Sequence, residues 1–123
     1  MVIEYNVRMG DPETEVVMPR IKSDIVPLLV ATARGELSNV TVTFEKNVVA
    51  TVVLVSAGYR GSYETGERIK IASIKDENII PFHAGTVQDD NGLLKQGGRV
   101  LDITGLGKPV KEALANSCLV RTA

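Results

Sequence analysis

The sequence is poor in cysteine and in aromatic residues. Its 123 residues include one cysteine, one histidine and no tryptophan, and aromatic side chains make up 4% of the chain. The single cysteine, Cys118, excludes an internal disulfide framework and is typical of a protein from a reducing cytoplasm. Because the hydrophobic content is nevertheless 44%, we expect a globular fold whose core is packed by valine, isoleucine and leucine.

The chain also lacks a dominant charge and a long apolar run. Its 14 basic and 15 acidic residues give a net charge of −1, which offers no reason to expect nucleic acid or an anionic membrane as a partner. No apolar run is long enough to cross a bilayer, and Glu4 and Arg8 interrupt the first residues in a way that signal peptides do not. The sequence therefore predicts a cytoplasmic protein.

A change in hydrophobic periodicity divides the chain near residue 35. Apolar residues before this point recur at helical spacing, whereas those after it alternate in the manner of strands. A length of 123 residues fits one domain, or one small domain joined to a piece of another. We therefore predict a first unit at residues 1–35 and a β-rich domain at residues 36–123. A polar strand at the very start would lack an upstream partner, which suggests a fragment.

The first unit is predicted to contain a strand and a broken helix. Apolar and polar residues alternate through residues 3–9, which is typical of a strand with one solvated face. Asp11 is a candidate cap for a helix that starts beside it and breaks near Pro19. A second helix is expected between a cap at Ser23 and a stop at Gly35.

The second unit is predicted to be a series of antiparallel strands closed by a helix. Residues 89–92 give a strong hairpin signal, because Asn-Gly accommodates positive φ. A last helix is expected from Pro109, with one apolar face formed by Val110, Ala113, Leu114 and Cys118. The order predicts an α+β fold, mostly antiparallel. The predicted strands cover residues 40–44, 48–56, 68–73, 79–88, 93–96 and 99–104.

Three polar residues share one side of the predicted first strand. Glu4, Asn6 and Arg8 are spaced by two, so their side chains point the same way with Cα atoms roughly 6.5–7 Å apart. A carboxylate and an amide oxygen suit Mg²⁺, which prefers oxygen ligands. The planar fork of an arginine suits an anionic substrate. On spacing alone, the alternative that this face is only solvated stays open.

The residues around this strand resemble those of a known enzyme family. Residues 4–14, with the sequence EYNVRMGDPET, and the Pro-Arg pair at 19–20 resemble the last catalytic strand of the phosphoribosylamine–glycine ligases, which are ATP-grasp enzymes. Further segments resemble the C-terminal domain of the same family in their order and spacing. They are the glycine-tyrosine loop at 56–66 and the motifs at 82–86, 97–101 and 104–107.

The resemblance implies roles for individual residues. Glu4 and Asn6 would bind the Mg²⁺ or Mn²⁺ that bridges the ATP phosphates. Arg8 would act as the catalytic residue beside the acyl phosphate. Three residues would bind substrate, with the first of them holding a ribose phosphate: Arg99, Asp11 and Glu13.

The same resemblance implies an activity. The enzyme would use ATP to join glycine to 5-phosphoribosylamine through glycyl phosphate, in purine biosynthesis, and would be a monomer. Its C-terminal domain would be a rudimentary hybrid motif of the barrel-sandwich type. The chain alone would lack the ATP-binding lysines and the amino-terminal domain, so we expect it to be inactive and to self-associate through a sheet edge. The alternatives are another ATP-grasp ligase of purine metabolism and a non-enzymatic β-rich module.

A few other residues could carry chemistry. His83 has no acidic neighbour in the sequence, so a hydrogen-bonded structural histidine is favoured over a proton shuttle. Cys118 is expected to be a core residue of the last helix. Tyr59 and Arg60 are expected in a surface turn. The Gly-Leu-Gly at 105–107 is too short to indicate a nucleotide-binding loop.

Overall fold

The structure is a computed structural model that describes residues 1–3, 5 and 7–119, and it has the expected α+β fold. No helix within those ranges is long and apolar enough to span a membrane. The helices are α1 (Thr14–Val17), α2 (Ile25–Arg34) and α3 (Val110–Ser117), with short 3-10 turns at Met18–Arg20 and Leu37–Asn39. The strands are β1 (Val48–Val55), β2 (Arg68–Ile69), β3 (Ile79–His83), β4 (Thr86–Asp89), β5 (Gly92–Lys95) and β6 (Arg99–Gly107).

The core is built on an antiparallel sheet with the strand order β1-β6-β3. In the middle strand, β6, Leu101 and Ile103 are fully buried. Partly buried aliphatic side chains such as Leu54 and Ile79 pack against them. The strand predicted at 48–56 from its β-branched run is confirmed by β1, but its side chains are half-buried, with Val55 exposed, rather than covered on both faces.

A second antiparallel sheet has the strand order β2-β5-β4. Its predicted hairpin is confirmed: the Asp89 carboxylate accepts a hydrogen bond from the Asn91 N–H, and Gly92 has a φ of 128°, which favours glycine. Arg68 donates to both carboxylate oxygens of Asp89 at 3.0 Å each. This ion pair ties β2 to the hairpin. The strand predicted at 68–73 is shorter than expected and covers residues 68–69 only.

Helix α3 crosses β6 at short range because β6 carries glycine where the two elements meet. A Cβ on Gly105 would overlap the backbone of Ala113 and Ser117 in the helix. A Cβ on Gly107 would lie 2.6 Å from the backbone nitrogen of Ala113. The glycines of the Gly-Leu-Gly motif therefore serve helix packing.

The buried face of α3 differs from the predicted one. Ala113 and Ser117 are buried, because only small side chains fit against the bare backbone of the glycines. Val110 and Leu114 are exposed, and Cys118 is an exposed free thiol rather than a core residue. The prediction from apolar periodicity is therefore confirmed at Ala113 and wrong at Val110, Leu114 and Cys118, because the close approach of the two backbones leaves room only for small side chains.

The broken helix of the first unit is confirmed. Helix α1 gives way to the 3-10 turn that contains Pro19, as expected for a residue that cannot continue the helical hydrogen bonds. Helix α2 ends at Gly35, whose φ of 71° is left-handed. Both stops follow from the sequence.

The two predicted helix caps are wrong. Asp11 does not cap α1, because its carboxylate pairs with an arginine of the second unit, described below. The cap of α2 is Asp24, whose Oδ1 accepts a hydrogen bond from the Val26 N–H at 2.9 Å. Ser23, the residue predicted for this role, instead accepts a hydrogen bond from the Thr43 N–H at 2.8 Å.

Three further strand predictions fail wholly or in part. The described residues among 1–9 form no strand, and none of the described strands pairs with them; an unpaired strand leaves its backbone groups unsatisfied. Residues 40–44 contain one isolated bridge, between Ile21 and Phe44. Residues 79–88 divide into β3 and β4, because Ala84 and Gly85 carry the chain from one sheet to the other.

Candidate functional site

A bidentate ion pair joins the first unit to the β-rich domain. Arg99 is the first residue of β6 and follows two glycines. Its Nη1 and Nη2 atoms donate hydrogen bonds to Oδ1 and Oδ2 of Asp11, each at 2.7 Å. Two residues predicted to bind substrate, 88 positions apart in the sequence, are therefore brought into contact.

The ion pair fixes the orientation of the Arg99 guanidinium while leaving it accessible. Hydrogen bonding to Asp11, followed by the charge of Asp11, raises the pKa of Arg99 above its ordinary value. Because arginine is protonated at any physiological pH, the effect of the pairing is on geometry rather than on charge. The Arg99 and Asp11 side chains are 38% and 58% exposed, so a dissolved anion can reach them.

A cleft of about 410 Å³ opens beside this ion pair. Its walls are formed by the first unit, by the glycine-tyrosine loop and by the two connections between the sheets, one from β3 to β4 and one from β5 to β6. A guanidinium, a phenol and the bare backbone of glycine loops are groups that can bind an oxyanion. The residues that line the cleft are Asp11, Tyr59, Ala84, Gly85, Gly98 and Arg99.

Close backbone approach builds the floor of the cleft. A Cβ on Gly98 would run into the ring of Tyr59, and a Cβ on Gly97 would lie 2.8 Å from the Cα of Gly85. Ser56 donates a hydrogen bond from its hydroxyl to the Gly97 carbonyl at 2.8 Å. These close contacts and the Ser56 hydrogen bond fix the backbone of the loop at Gly97 and Gly98. The position of Arg99 beside the cleft is fixed as a result.

The other predicted site residues lie on the segment before α1. Arg8 is exposed and donates a hydrogen bond from Nη1 to a neighbouring backbone carbonyl at 3.1 Å. Glu13 is also exposed, and neither residue lines the cleft. The predicted metal ligands Glu4 and Asn6 lie outside the described residues. Within the ranges that are described, no three acidic, histidine or cysteine side chains are grouped so as to hold a metal ion.

His83 lies at the end of β3 and is exposed. Its Nδ1 shares a hydrogen bond of 2.8 Å with the Thr86 hydroxyl at the start of β4. This contact spans the turn between the two sheets, which agrees with the expected hydrogen-bonded histidine.

The sequence interpretation missed an acidic residue near the cleft. Asp102 is 3% exposed, and its Oδ1 atom is buried without a hydrogen-bond partner among the described residues. Burial, followed by the charges of Glu15 and Asp11, raises the pKa of Asp102, while Arg99 opposes this rise. The one signal in the sequence is a carboxylate between apolar neighbours in the strand Val-Leu-Asp-Ile.

The comparisons with known proteins agree in sequence and in structure. Residues 49–119 match the family described as phosphoribosylglycinamide synthetase, C domain. The phosphoribosylamine–glycine ligase of Chlorobaculum tepidum is 47% identical over 115 residues, which cover 92% of this chain and 27% of that protein. The chloroplastic enzyme of the same name from Arabidopsis thaliana is 45% identical over 117 residues, which cover 91% of this chain and 22% of that protein.

A solved structure gives the same result. The crystal structure of phosphoribosylamine–glycine ligase from Thermotoga maritima matches with a TM-score of 0.70 and 30% identity, covering 98% of this chain and 30% of that one. The chain thus spans about a quarter of the length of the curated relatives it matches. The match includes the glycine loop, the central sheet and the last helix. The chain belongs to the family of the phosphoribosylglycinamide synthetase C domain.

Proposed function

We propose that this chain is the carboxy-terminal part of an ATP-dependent ligase that joins glycine to 5-phosphoribosylamine, giving glycinamide ribonucleotide. The family match and relatives that carry the name of this ligase support the proposal. The observation that supports a substrate site in this chain is the Arg99–Asp11 pair, which joins the first unit to the β-rich domain beside an open cleft.

Arg99 is proposed to bind the phosphate of 5-phosphoribosylamine. A guanidinium presents its donors in a plane, which matches the oxygens of a phosphate as it matches the carboxylate of Asp11. Tyr59 lines the same cleft, where its hydroxyl would donate a hydrogen bond to the substrate. Asp11 would act through Arg99 by holding its orientation, and Glu13 would contribute to the substrate site from the same segment.

We propose that the activation of glycine involves Arg8 together with Glu4 and Asn6, which lie outside the described residues. In the proposed reaction, the glycine carboxylate attacks the γ-phosphate of ATP and releases ADP, giving glycyl phosphate. The amine of 5-phosphoribosylamine then attacks the acyl carbon, forms the amide and displaces phosphate. Arg8 would orient the glycine carboxylate and then the acyl phosphate by charge and hydrogen bonding. Glu4 and Asn6 offer a carboxylate and an amide oxygen, a donor set that suits Mg²⁺ or Mn²⁺. Such a cation neutralises phosphate charge when it is bound.

The remaining proposals concern the setting of the enzyme. The complete ligase is proposed to be a cytoplasmic monomer that takes ATP, glycine and 5-phosphoribosylamine as substrates. The name of the Arabidopsis thaliana relative places that protein in the chloroplast, so location varies within the group. The division at residues 35 and 36 is proposed as the boundary between the catalytic edge and the C-terminal domain.

The test uses the complete ligase that contains this chain. We expect R99A to raise the KM for 5-phosphoribosylamine by about 10- to 100-fold, the range for losing hydrogen bonds to a charged group, with the KM values for ATP and glycine nearly unchanged. The control is R68A, which removes the arginine of an equally bidentate pair with Asp89 in the other sheet, where neither residue lines the cleft. The assignment of Arg99 to the phosphate would be refuted if R99A and R68A raised the KM for 5-phosphoribosylamine equally. It would also be refuted if R99A raised the KM values for all three substrates equally.

A further inference from the structure

Two aromatic rings of the glycine-tyrosine loop lie together on the backbone of Gly98, which is buried. The rings of Tyr59 and Tyr63 have their centroids 6.5 Å apart and their planes tilted by 55°. A Cβ on Gly98 would lie 2.7 Å from Cε2 of Tyr59 and 3.1 Å from Cε1 of Tyr63. Both rings therefore contact the residue that directly precedes Arg99, and only glycine leaves room for them.

Hydrogen bonds hold both ends of this loop against the segment that leads into β6. At the first end, the Ser56 N–H donates to the Gly98 carbonyl at 2.7 Å. At the other end, the Gly66 N–H donates to the Lys95 carbonyl, also at 2.7 Å. Because both ends are bonded to residues 95–98, the loop cannot lift from this segment without breaking hydrogen bonds. Its two rings are therefore kept over Gly98.

Gly85 holds the residues on either side of Gly98. Its N–H donates to the Arg99 carbonyl at 2.8 Å, and its carbonyl accepts a hydrogen bond from the Gly97 N–H at 3.0 Å. Gly98 itself is held by the Ser56 hydrogen bond and by the two rings. These contacts together determine where β6 begins and where the Arg99 side chain leaves it.

The two tyrosines differ in their relation to the cleft beside Arg99. Tyr59 lines this cleft, whereas Tyr63 lines a different cavity of about 460 Å³ together with Lys95. Tyr59 and Tyr63 are each 40% exposed, so either ring has room to turn towards water if its neighbour is removed. The contact with Tyr63 is therefore what keeps the Tyr59 ring over Gly98.

We propose that Tyr63 is a positioning residue for Arg99. Its ring holds the Tyr59 ring against Gly98, and the backbone of Gly98 sets the Arg99 Cα at the point from which both guanidinium nitrogens reach Asp11 at 2.7 Å. Tyr63 acts in this way from outside the cleft and does not touch the substrate. The inference rests on the proposed function, in which Arg99 binds the phosphate of 5-phosphoribosylamine, and its effect should be confined to that substrate.

The first experiment is steady-state kinetics of the complete ligase with each substrate varied in turn. Y63A should raise the KM for 5-phosphoribosylamine by about 2- to 10-fold, the range for losing one aromatic pair, with the KM values for ATP and glycine nearly unchanged. Y63F retains the ring and should restore the wild-type KM. The control F44A removes another exposed ring that does not line the cleft and should leave all three KM values unchanged.

Several kinetic outcomes would overturn the proposal. A lower kcat of Y63A with unchanged KM values would indicate a purely structural role, and equal rises for all three substrates would do the same. A rise in Y63F as large as that in Y63A would assign the effect to the hydroxyl rather than to the ring. If Y63A does not fold, Y63L takes its place with the same expectations, since leucine fills much of the volume without an aromatic edge.

The second experiment measures the position of Arg99 without any substrate. Nitrogen-15 relaxation of the Arg99 Nε–H group in the 123-residue chain gives an order parameter for the side chain, and R99K identifies the resonance by removing it. We expect the order parameter to fall in Y63A, because a displaced Cα weakens the bidentate contact with Asp11, and to keep its wild-type value in Y63F. An unchanged order parameter in Y63A would refute positioning by Tyr63.

The two experiments separate this proposal from the proposed function. If R99A leaves the KM for 5-phosphoribosylamine unchanged, the phosphate site at Arg99 is wrong, and the order parameters alone decide whether Tyr63 positions Arg99. If R99A raises that KM while Y63A leaves it at the wild-type value, the phosphate site stands and positioning by Tyr63 is refuted.

Discussion

The hydrogen-bonding capacity of Arg99 exceeds what Asp11 uses. A guanidinium has five N–H donors, and the contact with Asp11 takes one from each terminal nitrogen. Three donors remain for a ligand in the cleft. Asp11 can therefore hold the side chain in place while an oxyanion binds, and the two residues should act as one unit.

This coupling leads to a double-mutant prediction in the complete ligase. D11N should raise the KM for 5-phosphoribosylamine less than R99A does, since it loosens the guanidinium without removing it. The double variant should behave like R99A alone, because Asp11 acts through Arg99. The measurement is steady-state kinetics with each substrate varied in turn. Additive effects of the two changes would mean that Asp11 contacts the substrate independently.

A second prediction at this scale concerns the bare backbone of β6. G105A should destabilise the chain by about 1–3 kcal/mol, because the added methyl group overlaps the backbone of α3 and close-packed interiors respond to overpacking in this range. Urea denaturation followed by circular dichroism provides the measurement. G61A is the matched control, since its Cβ would lie 3.3 Å from one carbonyl oxygen in an exposed loop. A loss no larger than that of G61A would show that α3 can shift to make room.

At the residue scale, the sequence indicates which residues belong to a site more readily than which of them contact each other. Arg99 and Asp11 are both expected in the substrate site, yet nothing in the sequence indicates that they bind each other across 88 positions. The same limit explains the wrong cap at Asp11: a local rule selects the nearest unsatisfied N–H groups, and a distant guanidinium is a stronger partner for a carboxylate. Asp102 is not indicated by the sequence, because its burial depends on the packing of the whole sheet and not on its neighbours in the chain.

At the scale of elements, the predictions succeed where the signal is local. The hairpin at 89–92 needs only its own residues, and β1 needs only its β-branched composition. The strand predicted at 40–44 has the same alternation as a real strand but finds no neighbour except at Ile21. On α3 the predicted buried face is right at Ala113 and wrong at Leu114, because glycines in another element admit only a small side chain there. Elements defined by their partners cannot be fixed from their own periodicity.

Helix α2 provides a prediction about capping. D24A removes the side chain that accepts the Val26 N–H, and the loss of such a cap costs about 1 kcal/mol. Urea denaturation should show this loss together with reduced helical circular dichroism. E36A is the control, because Glu36 precedes the next short helix without a side-chain cap bond, and exposed substitutions of this kind stay within about 0.5 kcal/mol. An equal loss of unfolding free energy in D24A and E36A would show that the Asp24 side chain does not stabilise α2 as a cap.

At the scale of the whole molecule, the proposed ligase needs more chain than is present. The relatives are about four times as long as the matched segment, and the site proposed in this chain is limited to the cleft beside Arg99. We therefore predict that the purified 123-residue chain releases no phosphate from Mg-ATP with glycine and 5-phosphoribosylamine, measured with a coupled phosphate assay. A complete ligase serves as the positive control. Turnover by the chain at a comparable rate would contradict the proposed division of labour.

The surface of α2 leads to a prediction about self-association of this chain. Val26, Leu29 and Val30 are 60%, 59% and 42% exposed, and their spacing of three and four residues makes them neighbours on the helix surface. An apolar patch of this kind favours association in water, so this prediction places the contact on α2 rather than at the sheet edge expected from the sequence. We expect sedimentation velocity to show mass that increases with concentration in the wild type and far less in L29K. V87K changes a residue that is 48% exposed on the edge strand β4. If V87K abolished association while L29K left it intact, the contact would lie at a sheet edge instead.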